Sequence, residues 1–494
     1  MSANGAHRPD VAIVGAGVSG LAMAIKLTEA GIPFTIFEKA REIGGTWRDN
    51  TYPGLTCDVP AAVYTYSFER NPHWPRWLAT GDEIQRYVEA VCEKHGFREH
   101  IRFATEVVEA RWLDEHWQLR TAHGDEYRFD VVIHATGFLH RPRYPDIPGL
   151  ETFAGAAFHS ARWDHGVELA GRRVGVIGTG STGVQIVTAL AGTAAHVAMF
   201  QRTAQWIFPM GNPRIPRPMR RALARWPGLS ERWVQVLVRA IGDWFLSPAT
   251  TRPGLQRRVF GWACRRNLGT VRDPELRARL TPTYQPLCKR PVMSTKFYKA
   301  IQRPDLELVE TGIDHICPEG VVTSDGRLHE LQVLAFATGF DAHAYMRPMR
   351  VVGDQGVTLE QAWQDGPRAY LTVAVPGFPN MFTLMGPHSP LINVPVHESV
   401  ELQADYILRV LELLGRPDIT SAAPTADAAE RWLADIRAGM APTVWASGCQ
   451  SWYIGPDGVA VQWPFTRKRL RALLRAPALG DYAIRAATPE PQRR

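Results

Sequence analysis

Cysteine is scarce in this chain: six among 494 residues, at positions 57, 92, 264, 288, 317 and 449, with no C-x-x-C pair. That pattern argues against a disulfide framework, a zinc site and a dithiol redox centre, and no metal site is expected. Long hydrophobic runs are missing as well. The longest uncharged stretches, Val174–Gln201 and Tyr370–His397, are interrupted by Gly, Pro, Ser, Thr and His, so neither reads as a membrane span. Met1–Asp10 is polar and has no basic-then-apolar leader, which points to a cytoplasmic protein. Hydrophobic residues make up 45% and charged residues 21%, ordinary globular usage that excludes a mostly disordered or fibrous chain. The length suits about two to four domains.

The charge is unevenly placed. Of a formal +7, the segment Arg214–Leu280 alone carries +11, from fifteen arginines, no lysine and four acids, which leaves the rest of the chain at −4. No fold that binds nucleic acid surrounds these arginines, so a nucleic-acid partner is not expected. The surplus marks a cofactor-side surface or a peripheral contact with an anionic membrane. Within the segment, Trp233, Leu237, Ile241 and Trp244/Phe245 follow helical spacing, a stripe read as ordinary core.

What is abundant is glycine in register with strands and helices. The run Asp10-Val-Ala-Ile-Val ends in Gly15-Ala-Gly17-Val-Ser19-Gly20 and enters an Ala/Leu-rich helical pattern; a second strand, Phe34-Thr-Ile-Phe, ends in Glu38. This is a β-α-β unit whose glycines allow a tight turn and close approach of a pyrophosphate to a helix start. Glu38, 23 residues after Gly15, suits a ribose diol. The pattern recurs at Arg173-Val-Gly-Val-Ile-Gly178-Thr179-Gly180-Ser181-Thr-Gly183. In this unit the strand that follows ends in Gln201-Arg202-Thr203. Arg202 stands where the first unit has its acid, and a guanidinium pairs with a 2′-phosphate that a carboxylate would repel. Two strands ending in A-T-G-F, at Ala135 and Ala337, return the chain between the units. The fold class is therefore α/β, with two Rossmann-like dinucleotide-binding domains and a helical insertion. One domain suits FAD and the other NADP, the plan of a flavoprotein that accepts hydride from NADPH.

Between the glycine motifs lies Phe153-Ala-Gly155-Ala-Ala-Phe-His159-Ser-Ala-Arg-Trp163-Asp164. It resembles the F-x-G-x-x-x-H-x-x-x-W-(P/D) fingerprint of type I Baeyer–Villiger monooxygenases, and the resemblance extends from Asp10 to about Pro464. The related flavin monooxygenases that oxygenate nitrogen or sulfur share the pattern up to the His, so Trp163-Asp164 discriminates. The segments Gly44-Gly45-Thr46-Trp47 and Tyr52-Pro-Gly-Leu-Thr-Cys57-Asp58, with Tyr64 following, are similar to the family's flavin-side segment. Gly377–Phe382 and Gly386–Pro390 resemble its late flavin-contacting loop, and Ser451-Trp452-Tyr453 a C-terminal segment near the cofactor. Lys289-Arg290-Pro291 resembles the family's K-R pair.

The resemblance implies that Lys289 helps hold the 2′-phosphate, that Arg290 stands over the flavin, and that Asp58 tunes Arg290. It implies insertion of one oxygen from O2 beside a ketone carbonyl, giving an ester or lactone through a flavin C4a-peroxide. A fixed guanidinium stabilises the anions such a reaction passes through, and water must be kept out. His159 is read first as a structural or hinge residue, Trp163 as a packing anchor and Cys57 as a small buried residue. The expected layout is an FAD domain over 1–148 and 336–494, an NADP domain over 149–208 and 289–335 with the fingerprint at 153–164, and the insertion over 209–288. A monomer or homodimer is expected. The 488–494 tail reads as disordered.

Overall fold

Both glycine-ended apolar runs become central strands. The computed structural model describes residues 8–225 and 235–486. Val11–Val14, buried throughout, sits in a five-stranded parallel sheet ordered Met381–Thr383, Val131–His134, Val11–Val14, Phe34–Phe37, Ile101–Arg102. Arg173–Ile177 sits in a second one, ordered Leu306–Val309, His196–Phe200, Arg173–Ile177, Val333–Phe336, Ala156–His159. Helices cover parallel sheets on both faces, which is why these strands read as unbroken apolar runs rather than alternating ones. The crossover helices are α1 (Val18–Ala30) and α2 (Ser181–Leu190), each starting directly after its glycine turn. The fingerprint supplies the edge strand of the second sheet through Ala156–His159, which pairs with Val333–Phe336.

Both A-T-G-F strands end against a glycine turn, Val131–His134 on the first unit and Val333–Phe336 on the second. An antiparallel meander of Val107–Leu113, His116–Thr121 and Glu126–Phe129 joins the first sheet's third and fourth strands in chain order.

The insertion is helical, as its spacing predicts: Arg217–Arg225, a helix over 235–251 with a π-turn at Gly242–Leu246, α3 (Leu255–Leu268), and Pro274–Arg279. The stripe does not form core. Leu237, Ile241 and Trp244 stand exposed, only Phe245 packs inward, and Trp233 lies outside the described residues. The helix docks through its polar side instead: Gln235 donates to the Ala62 carbonyl at 3.2 Å, Arg239 pairs with Glu398 at 3.3 Å, and Asp243 pairs with Arg467.

Cysteine pairing also departs from expectation. Cys288 and Cys449 form a disulfide with Cα atoms 5.5 Å apart. Local spacing could not show it, because 161 residues separate the two and only the tertiary fold brings them together. Toward the C-terminus, α4 (Val396–Leu414) lies against α1, with Lys26 and Asp405 paired at 2.9 Å. Among the described residues no helix is long and apolar enough to cross a membrane. The 488–494 tail lies outside the described residues.

Candidate active site

The two glycine turns are built alike, and their glycines divide into two kinds. Gly15 and Gly178 have φ of +108° and +117°, and a Cβ on either would fall 2.7 or 2.4 Å from the carbonyl of Ala135 or Ala337 in the A-T-G-F segments. A Cβ on Gly20 or Gly183 would lie 2.0 or 2.1 Å from the Gly15 or Gly178 carbonyl. The chain's own packing therefore demands these four. It does not demand the middle ones: a Cβ on Gly180 meets nothing within 4 Å, and one on Gly17 meets only Gly45, 3.7 Å away. Glycine at those positions opens the backbone to something outside the chain. Gly17 and Gly180 also cap α1 and α2 without any side-chain acceptor, so the first N–H groups, beside Ser19 and Ser181, are available to an anion. Both cradles fit a pyrophosphate, and so a dinucleotide each.

Glu38 is buried. Its carboxylate accepts from the Ala16 and Ala40 N–H groups at 2.8 and 3.0 Å and pairs with Arg48 at 3.0 Å, which ties the first turn to the second strand. In the second unit Thr179 Oγ1 donates to the Thr203 carbonyl at 2.7 Å, fixing the strand end that carries Arg202. Arg202 and Lys289 come together although 87 positions separate them. Burial and the neighbouring Arg202 charge both hold the Lys289 ammonium below its ordinary pKa, and its Nζ lies 4.8 Å over the Tyr284 ring. Neither cation has a carboxylate partner among the described residues. Two cations placed against their own repulsion suit a doubly charged phosphate.

Arg290 and Asp58 meet as the family resemblance implies. Arg290 donates from Nε and Nη2 to the two Asp58 oxygens at 2.6 and 2.7 Å, and from Nη1 to the Leu391 carbonyl at 3.0 Å. Burial works against both charges, but each is the other's partner: the Asp58 carboxyl is held below its usual range and the guanidinium well above. The loop carrying Asp58 is clamped to the second dinucleotide unit. Tyr52 donates to Gln185 on α2 at 2.9 Å, and Gln185 donates to the Thr56 carbonyl at 3.0 Å.

Around this pair, Trp47 donates to the Tyr64 hydroxyl at 3.0 Å and the His397 ring stands edge-on to Tyr64 at 4.5 Å. Gly45 closes on Gly17, and Thr46 opens the short helix that carries Trp47. Cys57 is buried and burial pushes its thiol up to about 12, which keeps it inert as expected. Trp452 stacks at 6.0 Å on Phe138, beside the first A-T-G, and the disulfide fastens its segment to Cys288, next to Lys289.

The fingerprint residues lie apart from Arg290. Fully buried His159 contacts the Gly339 carbonyl through Nε2 at 3.0 Å and accepts from the Ala161 N–H at Nδ1, so the ring is neutral and fastened to the second A-T-G-F loop. Trp163 packs edge-on to Phe158 at 4.7 Å, Phe153 packs where a Cβ on Gly155 would fall, and Asp164 caps the Gly166 N–H at 2.8 Å.

Sequence reasoning missed Gln185, the Leu391 carbonyl, the Cys288–Cys449 bridge and His397. Both ring nitrogens of His397 are buried without a partner among the described residues, at the start of α4 beside the flavin-side segment. A buried polar group left unsatisfied by its own chain is the one signal of a ligand there, and it exists only in three dimensions.

A family profile described as flavin-binding monooxygenase-like matches residues 8–214. An uncharacterized monooxygenase of Mycobacterium tuberculosis is 49% identical over 98% of this chain and 99% of its own length. A Baeyer-Villiger monooxygenase of Streptomyces coelicolor is 37% identical over 97% of this chain and 93% of its own. Cyclohexanone monooxygenase from Rhodococcus sp. Phi1, solved bound to NADP+, superposes with a TM-score of 0.87 at 31% identity, covering 98% of this chain and all of that one. The chain belongs to the flavin-binding monooxygenase-like family, among its Baeyer–Villiger monooxygenases.

Proposed function

We propose that this enzyme uses FAD and NADPH to insert one oxygen atom of O2 beside the carbonyl of a small-molecule ketone, releasing an ester or lactone. The observation that carries the reading is the forked Arg290–Asp58 pair, held where the two dinucleotide units meet. Bound FAD supplies hydride acceptance and the reaction with O2; the protein supplies placement, charge and a dry site.

Arg290 is the catalytic residue in this reading. Three of its five N–H bonds are taken by Asp58 and Leu391, which fixes the plane of the guanidinium. The two remaining N–H bonds, with the Tyr453 hydroxyl beside the guanidinium, are left to stabilise an anionic oxygen, and a guanidinium does not surrender its proton at working pH. Asp58 orients the fork. Its charge is spread over two hydrogen bonds, so it lowers the net charge of the pair without withdrawing the free donors.

Gly15, Gly17, Ser19, Gly20, Glu38, Gly45, Thr46, Trp47, Asp58, Tyr64 and Trp452 hold the flavin nucleotide. Gly178, Thr179, Gly180, Ser181, Gly183, Arg202, Thr203 and Lys289 hold NADP. Phe153, Gly155, His159, Trp163 and Asp164 couple the NADP sheet to the loop after Ala337. The FAD body comprises 1–148 and 336–494, the NADP body 149–208 and 289–335, and 209–288 is inserted. The enzyme works in the cytoplasm, as a monomer or homodimer. The test is ester formation from a panel of cyclic and linear ketones by wild type and Arg290→Ala.

A further inference from the structure

The insertion turns apolar side chains outward. Among the described residues, eight of the fourteen large apolar side chains that stay exposed fall within 214–280. On the helix over 235–251, Leu237, Ile241 and Trp244 follow one another at one-turn spacing with exposures of 60, 52 and 79%. On α3, Leu255, Val259 and Trp262 repeat that spacing with exposures of 71, 40 and 57%. Gln256 Nε2 reaches the Trp244 carbonyl at 3.4 Å, which sets the start of α3 beside Trp244 and brings the two stripes together. The opposite sides are occupied: Gln235 is bonded to Ala62, and Phe260, Cys264 and Leu268 are in the core.

The charge around these stripes has one sign. Residues 235–268 contain six arginines and one acid, Asp243, which is paired with Arg467. Arg252 and Arg258 are exposed beside Leu255 and Val259, and the Arg266 guanidinium lies 5.6 Å from the Trp262 ring.

We infer that this face docks on an anionic lipid bilayer, with Trp244, Ile241 and Leu255 at the boundary between headgroups and acyl chains and the arginines on the headgroups. Tryptophan and aliphatic residues flanked by arginine are what an interfacial helix needs, and neither feature alone suffices. A second copy of the chain fits poorly, because a two-fold contact would set this arginine-rich face against itself. The docking helix is one layer from the loop that carries Asp58, through Gln235 and Ala62, so a docked enzyme works close to ketones dissolved in the bilayer.

The test sediments the full-length FAD-loaded enzyme with vesicles of phosphatidylcholine alone or mixed equally with phosphatidylglycerol. The expected result is binding to the mixed vesicles only, weakened by salt. Trp244→Ser and the pair Arg252→Glu/Arg258→Glu should each lower partitioning at least about tenfold, with NADPH oxidation in solution unchanged. No binding to the anionic vesicles, equal binding to both kinds, or unaltered binding by both variants overturns the inference. So does a solution dimer that Trp244→Ser dissociates, which would assign the face to a second copy.

Discussion

Arg290 and Asp58, 232 positions apart in the chain, face each other through two hydrogen bonds of 2.6 and 2.7 Å. That fork is a two-point contact no ammonium can reproduce. Arg290→Ala should lower ester formation by about a thousandfold, while part of the NADPH-driven flavin reduction survives. Arg290→Lys should rescue little. Asp58→Asn, which keeps the shape but not the charge, should fall between wild type and Arg290→Ala. Parallel measurement of ester and of NADPH consumed checks this, and full ester yield from Arg290→Ala would remove the assigned role.

Arg202 and Lys289 are assigned to the 2′-phosphate. Arg202→Ala should raise KM for NADPH about ten- to a hundredfold, the worth of one charge-assisted bond, and leave KM for NADH nearly unchanged. The pH dependence has a definite sign. Lys289 binds phosphate when protonated, and burial and Arg202 hold its pKa below the ordinary 10.5, so KM for NADPH should climb on the alkaline side before 10.5 is reached. Lys289→Arg, which stays charged, should flatten that rise. Equal effects on both coenzymes would refute the assignment.

How much of this was legible from the residues depended on distance along the chain. The glycine turns and the strands ending in A-T-G-F are contiguous, and one turn plus one helix start suffices to show a phosphate cradle. Asp58 and Arg290 were reached only through family motifs, since nothing local to either says that they meet. Cys288 and Cys449 belong to no motif, and their approach depends on the whole C-terminal segment folding back. The stripe at Leu237, Ile241 and Trp244 misled because periodicity shows which residues share a face. It cannot say whether that face is turned inward, and here Gln235, Arg239 and Asp243 hold the opposite side against the body.

Among the described residues five imidazoles, His134, His159, His329, His388 and His397, are buried, and burial lowers the pKa of each, to about 3 for His134 and His397 and about 4 for His388. Below the unfolded value of about 6.5 the unfolded chain takes up protons that the folded chain refuses. Their contribution is thus complete above about 6.5 and is lost as pH falls from there toward the folded values. The thermal midpoint should drop on acidification across that window. His159→Asn should cost about 1–3 kcal/mol of stability already at neutral pH through the two lost hydrogen bonds, and so lower the midpoint there too. A midpoint flat between pH 6.5 and pH 4.5 would contradict this.

The Cys288–Cys449 bridge closes a loop of 161 residues. Chain-entropy reasoning puts its stabilisation at up to about 5 kcal/mol. Cys449→Ser should lower the thermal midpoint, and because Cys288 adjoins Lys289, KM for NADPH should rise with it. Peptide mapping under non-reducing conditions should recover the linked pair. Alkylation of both thiols in the native enzyme would show the bridge absent.

What defines this enzyme's reaction is where an oxygen atom goes. Turnover with a cyclic ketone under 18O2, with NADPH consumption followed and the product analysed by mass spectrometry, measures it directly. Insertion beside the carbonyl gives a lactone carrying one 18O atom for each NADPH oxidised. Unlabelled product, NADPH consumption yielding only hydrogen peroxide with every ketone tried, or oxygenation confined to amines and sulfides would contradict it.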